Sequence, residues 1–176
     1  MAHQEQREFV TSLQQKYSSF FKDSKILEIG SLNVNGTVRD FFQNCDYLGI
    51  DVGPGPGVDI VCKGEDLNHP DNTYDTVLST ECFEHTPSWF EIFKNMIRMT
   101  KPGGLVFWTC ASTGRAEHGT KNSRPEDSPL LNNWDYYKNL TKNDFELRIN
   151  LDEYFSSYEF TFNEKSCDLY FFGFKK

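Results

Sequence analysis

Lys25-Ile-Leu-Glu-Ile-Gly-Ser-Leu-Asn-Val-Asn-Gly36, followed by Tyr47-Leu-Gly-Ile-Asp51, is the stretch on which the fold turns. Lys25 to Ile29 is a short apolar run that stops at Gly30, as a buried strand does. Val38, Phe41 and Phe42 then repeat at i, i+3, i+4, so a helix is expected before the strand Tyr47–Asp51. A strand, a helix and a second strand in succession call for a crossover connection, and crossovers build parallel sheets.

The same grammar extends on both sides. Phe9, Val10, Leu13, Tyr17, Phe20 and Phe21 recur at helical spacing and predict an opening amphipathic helix within residues 1–22. Beyond Asp51, strands are expected at Asp59–Cys62, Tyr74–Ser79 and Leu105–Thr109, each bounded by Gly, Pro or Asn. Between the last two, Ser88 with Glu91 three residues on reads as a capping box, and Trp89, Ile92, Phe93 and Met96 form a core-facing stripe. The segment 111–140 is rich in Gly, Pro, Ser, Asn and charges and is longer than an ordinary connection, which marks it as a lid or substrate loop. After it, Thr141 caps a helix carrying Phe145 and Ile149, and Tyr158–Asn163 with Asp168–Phe174 reads as a hairpin around Glu164-Lys-Ser. The expected architecture is α/β: a doubly wound, Rossmann-like, mostly parallel sheet with a C-terminal antiparallel hairpin strand. One domain is expected over 1–176, with a ligand-binding core at 23–110 and a C-terminal helix and hairpin at 141–176.

Composition narrows the function. A formal charge of −8, from 26 acidic and 18 basic side chains, repels a phosphate backbone, and no Lys/Arg cluster interleaved with aromatics offsets it. A nucleic-acid substrate is therefore disfavoured against a small molecule. Cys45, Cys62, Cys82, Cys110 and Cys167 are odd in number and widely spaced, so they read as reduced thiols; no CxxC pair points to zinc or redox chemistry, and no metal is expected. No export signal or apolar span is found, so the expected compartment is the cytoplasm and no membrane partner is expected. The aromatic-rich segment Tyr170–Phe174 is expected at a sheet edge on which a second copy could pair as a homodimer.

The chemistry concentrates where the first strand meets its loop. Gly30 and Gly36 bracket a turn in which glycine permits a sharp bend and close ligand approach, although in isolation the segment reads more readily as a plain strand-to-helix turn. Asp51 ends the second strand 21 positions after Gly30, near the spacing of about 20 at which a carboxylate reaches a nucleotide ribose; taken alone it is also an ordinary solvated strand end. A dinucleotide fingerprint would need glycine where Leu32 and Asn35 stand, which disfavours a nicotinamide enzyme.

Five motifs in order, Leu27-Glu-Ile-Gly-Ser, Leu48-Gly-Ile-Asp51, Glu65-Asp-Leu67, Asp71 through His85, and Lys101-Pro-Gly-Gly104, resemble the motif series of class I S-adenosylmethionine-dependent methyltransferases of the methyltransferase-11 type. The resemblance covers about Lys25 to Cys110. It implies S-adenosylmethionine as cofactor, with Glu28, Gly30, Ser31 and Asn33 around the methionine part and Asp51 and Val52 at the ribose. Glu65, Asp66 and Leu67 would pass the adenine, and Thr80 and Glu81 would flank the centre. Relatives commonly carry an aspartate where Lys63 stands, which a lysine cannot replace as an acceptor for the adenine amino group.

The resemblance implies methyl transfer to a small-molecule or glycan-type acceptor; a non-catalytic cofactor-binding module, a sensor or partner subunit, is the alternative. His85 is the candidate base, or else a structurally packed side chain of the Glu-His pair. His118, Trp134, Tyr136 and Tyr137 are the candidate substrate contacts, His118 serving equally as a solvated loop residue and the aromatics equally as pins for the loop.

Overall fold

The computed structural model describes residues 3–130 and 135–176. The sheet has seven strands, β1 (Lys25–Ile29), β2 (Asp46–Asp51), β3 (Ile60–Val61), β4 (Tyr74–Thr80), β5 (Thr100–Ala111), β6 (Phe155–Asn163) and β7 (Asp168–Lys175). Their order is β3-β2-β1-β4-β5-β7-β6, the first five parallel and β7 antiparallel to both its neighbours. The order in which strands are added reverses between β1 and β4, so the C-terminal ends of β1, β2 and β4 open onto one crevice, where ligands of such sheets bind.

Alternation along the strands sends side chains to two cores. On one face Leu27, Val77, Val106, Trp108 and Phe171 meet Trp89, Ile92, Phe93 and Met96 of the helix α2 (Trp89–Met99). Trp108 is stacked between Phe145, at 4.3 Å, and Phe171, at 5.3 Å. On the other face Ile26, Leu78, Leu105 and Phe107 pack under Val10 and Leu13 of α1 (Gln4–Lys16), with Phe9 stacked on Tyr170 at 4.7 Å. The sheet is thus covered on both sides, as expected of a doubly wound fold. Short helices α3 (Lys142–Glu146) and α4 (Leu151–Tyr154) return the chain to β6, the first capped by Asp144 Oδ2, which accepts from both N and Oγ1 of Thr141 at 2.8 Å.

Three local expectations are corrected. Between β1 and β2 there is no α-helix: Arg39–Phe41 forms a single 3-10 turn. Residue 43 is drawn into a parallel bridge with Lys22 and the Arg39 side chain is held by Tyr47 O and Asp59, so the chain is straightened before a second helical turn can form. Val38, Phe41 and Phe42 still pack on the sheet, which is all that their spacing recorded. Ser88 begins α2 without a side-chain cap, because its ψ of 15° is not that of a capping residue; instead its N–H donates to Thr86 Oγ1 at 3.2 Å. Tyr170–Phe174 does not form an edge. The returning strand β7 pairs with β5 and leaves β6 outermost, so the surface on which a second copy was expected to pair lies inside the sheet.

Candidate active site

The crevice at the C-terminal ends of β1, β2 and β4 is walled by the loop after β1, by Cys62, Gly64 and Glu65, by the turn after β4 and by residues 127–130 of the long loop. Of the expected cofactor contacts, Glu28, Gly30, Ser31, Asp51, Val52, Glu65, Thr80 and Glu81 line it, and so does His85. Asn33, Asp66 and Leu67 do not. Asn33 closes its own loop by accepting from Gly36 N at 2.8 Å, Asp66 is exposed, and Leu67 is buried with its carbonyl held by Asn95 at 3.0 Å.

Asp51 is fixed by the backbone. Its Oδ2 accepts from Leu32 N at 2.9 Å and its Oδ1 from Val52 N at 2.7 Å, which orients the carboxylate while leaving further lone pairs on both oxygens. Burial nevertheless pushes its pKa above the usual carboxylate value, the two N–H donors opposing that shift. Leu32 N is therefore spent on Asp51, and because no α-helix follows β1, no helix N-terminus faces the crevice from that loop. Gly30 does adopt a positive φ of 81°, but a Cβ there would lie 2.7 Å from Cys82 Cβ. Its glycine thus serves the bend and the packing of β4's exit.

Glu28 is buried beside Asp51, where its Oε2 accepts from Tyr47 OH at 2.8 Å. Desolvation raises its pKa to about 7, against the lowering effects of Tyr47 and Arg39. Glu81 sits in the left-handed region at φ 53°, a conformation that costs a non-glycine residue roughly 1 kcal/mol and tends to mark functional positions. Its carboxylate is buried with neither oxygen hydrogen-bonded among the described residues; His3 Nε2 stands 4.0 Å away. Ser31 Oγ is likewise buried without a partner among them. Counting the cavity lining, Glu28, Asp51, Glu65, Glu81 and Asp127 contribute five carboxyl groups, and no Lys or Arg of the described residues joins them.

The long loop closes one side. Leu130 lies over the end of β2, its Cδ2 2.8 Å from where a Cβ on Gly53 would be, and nothing in the sequence distinguished it from its neighbours. His118 is buried, with its ring centroid 5.0 Å from that of His85, and Tyr137 packs on both rings at 5.6 and 5.0 Å. Burial, then the neighbouring His118, pushes His85 down to about 3. At neutral pH it is an uncharged imidazole, able to orient a donor but too weak a base to hold its proton. Tyr136 is half-buried outside the cavity wall, and Trp134 lies outside the described residues.

Comparison with known proteins agrees with this geometry. Residues 35–108 match the model of the family described as methyltransferase domain. A demethylmenaquinone methyltransferase of Lysinibacillus sphaericus (strain C3-41) is 32% identical over 80 residues, 44% of this chain and 33% of that protein. The chain therefore spans about a third of that relative's length. Among solved structures, the 1,6-didemethyltoxoflavin-N1-methyltransferase of Burkholderia thailandensis, with bound 1,6-didemethyltoxoflavin and S-adenosylhomocysteine, superposes with a TM-score of 0.65 at 13% identity, over 97% of this chain and 77% of that one. The N-methyltransferase NodS of Bradyrhizobium japonicum WM9, in complex with S-adenosylhomocysteine, gives 0.62 at 15% identity over 97% and 87%. The chain thus has the fold of these solved structures, and its residues 35–108 are similar to the methyltransferase domain.

Proposed function

We propose that the chain transfers a methyl group from S-adenosylmethionine to a small-molecule or glycan-type acceptor. The observation that carries this reading is the charge of the crevice: five carboxyl groups and no Lys or Arg among its described lining. Such a wall attracts a ligand with a sulfonium and an amino group, and it repels the pyrophosphate of a dinucleotide.

The residues fit the cofactor. Asp51, held by two N–H groups, retains acceptor capacity for the two ribose hydroxyls. Glu28 and Glu81, buried in the same wall, suit the positive charges, and unpartnered Ser31 Oγ offers a further polar contact. When bound, S-adenosylmethionine supplies an electrophilic methyl group. The protein's task is then to exclude water and hold the acceptor in line, which can supply several kcal/mol of the barrier. His85 lines the crevice and, being neutral, can share a hydrogen bond with an acceptor hydroxyl or amine and so orient it. Ser128, Pro129 and Leu130 of the loop 111–140 lie over the crevice, which supports its role as a lid.

The acceptor class follows from support of two kinds. A net charge of −8 opposes a nucleic acid, and the relatives named above include enzymes of quinone and toxoflavin chemistry, both small molecules. Five free thiols fit a reducing compartment, and a cytoplasmic setting is part of the same proposal; among the described residues no helix is long and apolar enough to cross a membrane. The test is calorimetry with S-adenosylmethionine and S-adenosylhomocysteine, followed by mass spectrometry of an acceptor panel for a one-methyl gain. Micromolar binding with turnover supports the proposal. Absence of binding ends it, and binding without turnover on any acceptor would instead favour a sensor or partner subunit.

A further inference from the structure

We infer that Glu84, His85 and His118 form a site for one divalent transition-metal ion, which ties the long loop to the turn after β4. Their potential donor atoms all lie within 4.8 Å of one another. The inference concerns metal binding alone and stands whether or not the chain transfers methyl groups.

Two of the three side chains carry the argument. Glu84 is fully buried, and neither carboxyl oxygen has a hydrogen-bond partner among the described residues. A buried carboxyl group so placed is destabilising unless something else binds it. His118 is 6% exposed; its Nδ1 lies 3.1 Å from Ala116 O, to which only a protonated Nδ1 can donate. That bond leaves Nε2 as a lone-pair donor, and Nε2 is also buried without a partner among the described residues. A ring N–H given to a backbone carbonyl, with the other nitrogen turned inward, is how metal-ligating histidines are usually oriented.

The surroundings reinforce the arrangement. Tyr137 OH donates to the same Ala116 carbonyl at 3.2 Å, so the group orienting His118 is itself held. Lys138 N donates to Glu84 O at 2.9 Å, fastening the turn from the loop's far end. Gly119, at φ 65°, lets the loop pass so close that a Cβ would lie 2.7 Å from His85 Cε1. Two imidazole nitrogens and one carboxylate suit zinc or another first-row ion and leave a position for water or an acceptor atom, whereas magnesium and calcium prefer all-oxygen sets. His3, Glu81 and Asp168 form a second group within the same distance, but it already has its cations: His3 Nε2 lies 2.8 Å and Arg115 3.7 Å from Asp168. It makes a useful control.

The full chain, stripped with chelator and dialysed against Zn²⁺, is analysed for metal by mass spectrometry, and separately titrated with Co²⁺. The inference expects about one zinc per chain and visible d–d bands of a four- or five-coordinate cobalt. Glu84→Gln and His118→Gln should each weaken zinc retention more than about tenfold, while His3→Gln leaves it unchanged. Wild-type protein that retains no zinc and gives only the hexa-aqua cobalt spectrum overturns the inference without recourse to any variant. So does zinc retained equally by both ligand variants, or lost only in His3→Gln. Circular dichroism of each variant separates ligand loss from unfolding, and cofactor calorimetry on the stripped protein tests the methyl-transfer reading separately.

Discussion

Asp51 and Glu84 are both acidic side chains at the C-terminal end of the sheet, yet they are held in opposite ways. Asp51 receives two backbone N–H groups and shows its remaining lone pairs to the crevice. Glu84, three residues beyond Glu81, receives none from the described residues. Glu28 stands between them, with one phenolic O–H from Tyr47. The difference teaches that polar groups at this end of the sheet, in the crevice and beside it, are held in two ways. One wall, on β1 and β2, is preorganised by the backbone itself; the other, on the turn after β4 and the long loop, is assembled from side chains, with the Glu84 oxygens and His118 Nε2 buried and unpartnered among the described residues.

The sharpest way to break the comparison is Asp51→Ala. The proposed role of Asp51 puts two charge-assisted hydrogen bonds to a ribose on this side chain, so calorimetry should show S-adenosylhomocysteine affinity falling by about 100-fold, roughly 2.7 kcal/mol. A change below about threefold would mean that the preorganised wall does not hold the sugar. Gly119→Ala probes the other wall. It places a Cβ 2.7 Å from both His85 Cε1 and Ser128 Cβ at a positive φ, and thermal or urea unfolding should register a loss of about 1–3 kcal/mol. Because Asp51 is untouched, cofactor affinity should change far less than in Asp51→Ala.

Proton linkage sharpens the intermediate case. The pKa of Glu28 is raised to about 7 from an ordinary 4.5, so the empty fold keeps a proton that the unfolded chain releases. Stability from this group is present in full below about 4.5 and declines as pH rises toward 7. A cationic ligand reverses the preference, since it favours the carboxylate. S-adenosylmethionine affinity should therefore strengthen by about tenfold from pH 6 to pH 8, and Glu28→Gln should flatten that profile. The smallest effect is expected of Tyr47→Phe. Loss of its one hydrogen bond should move the midpoint of the same pH profile upward by roughly half a unit to one unit.

The sequence disclosed the preorganised wall better than the assembled one, for a physical reason. β1, β2 and β4 are apolar runs cut off by Gly30, Asp51 and Glu81, so their ends, and the residues at those ends, are fixed by local pattern. Asp51 could be located by counting. His85 and His118 are 33 positions apart, and only the path of a long irregular loop brings their rings to 5.0 Å. Leu130 reached the crevice by the same route. Within the regular half the misreadings were of degree: Val38, Phe41 and Phe42 marked a buried face correctly, but burial does not demand a helix where Arg39 and residue 43 are tied down on either side. The hairpin was legible as a hairpin; which of its strands would join β5 depends on a pairing about 60 residues away, beyond the reach of local pattern.

The placement of β7 has a consequence for how the fold closes. Residues near the start, His3, Glu5 and Gln6, are engaged by Asp168, Lys165 and Thr109, and Phe9 lies on Tyr170. Helix α1 therefore docks on two parts of the sheet, on Ile26, Leu78, Leu105 and Phe107 of the parallel strands and on Tyr170 of β7. Until β7 pairs, β5 has an open edge and Phe9 lacks the ring on which it stacks, so completing the sheet and fully docking α1 are coupled events.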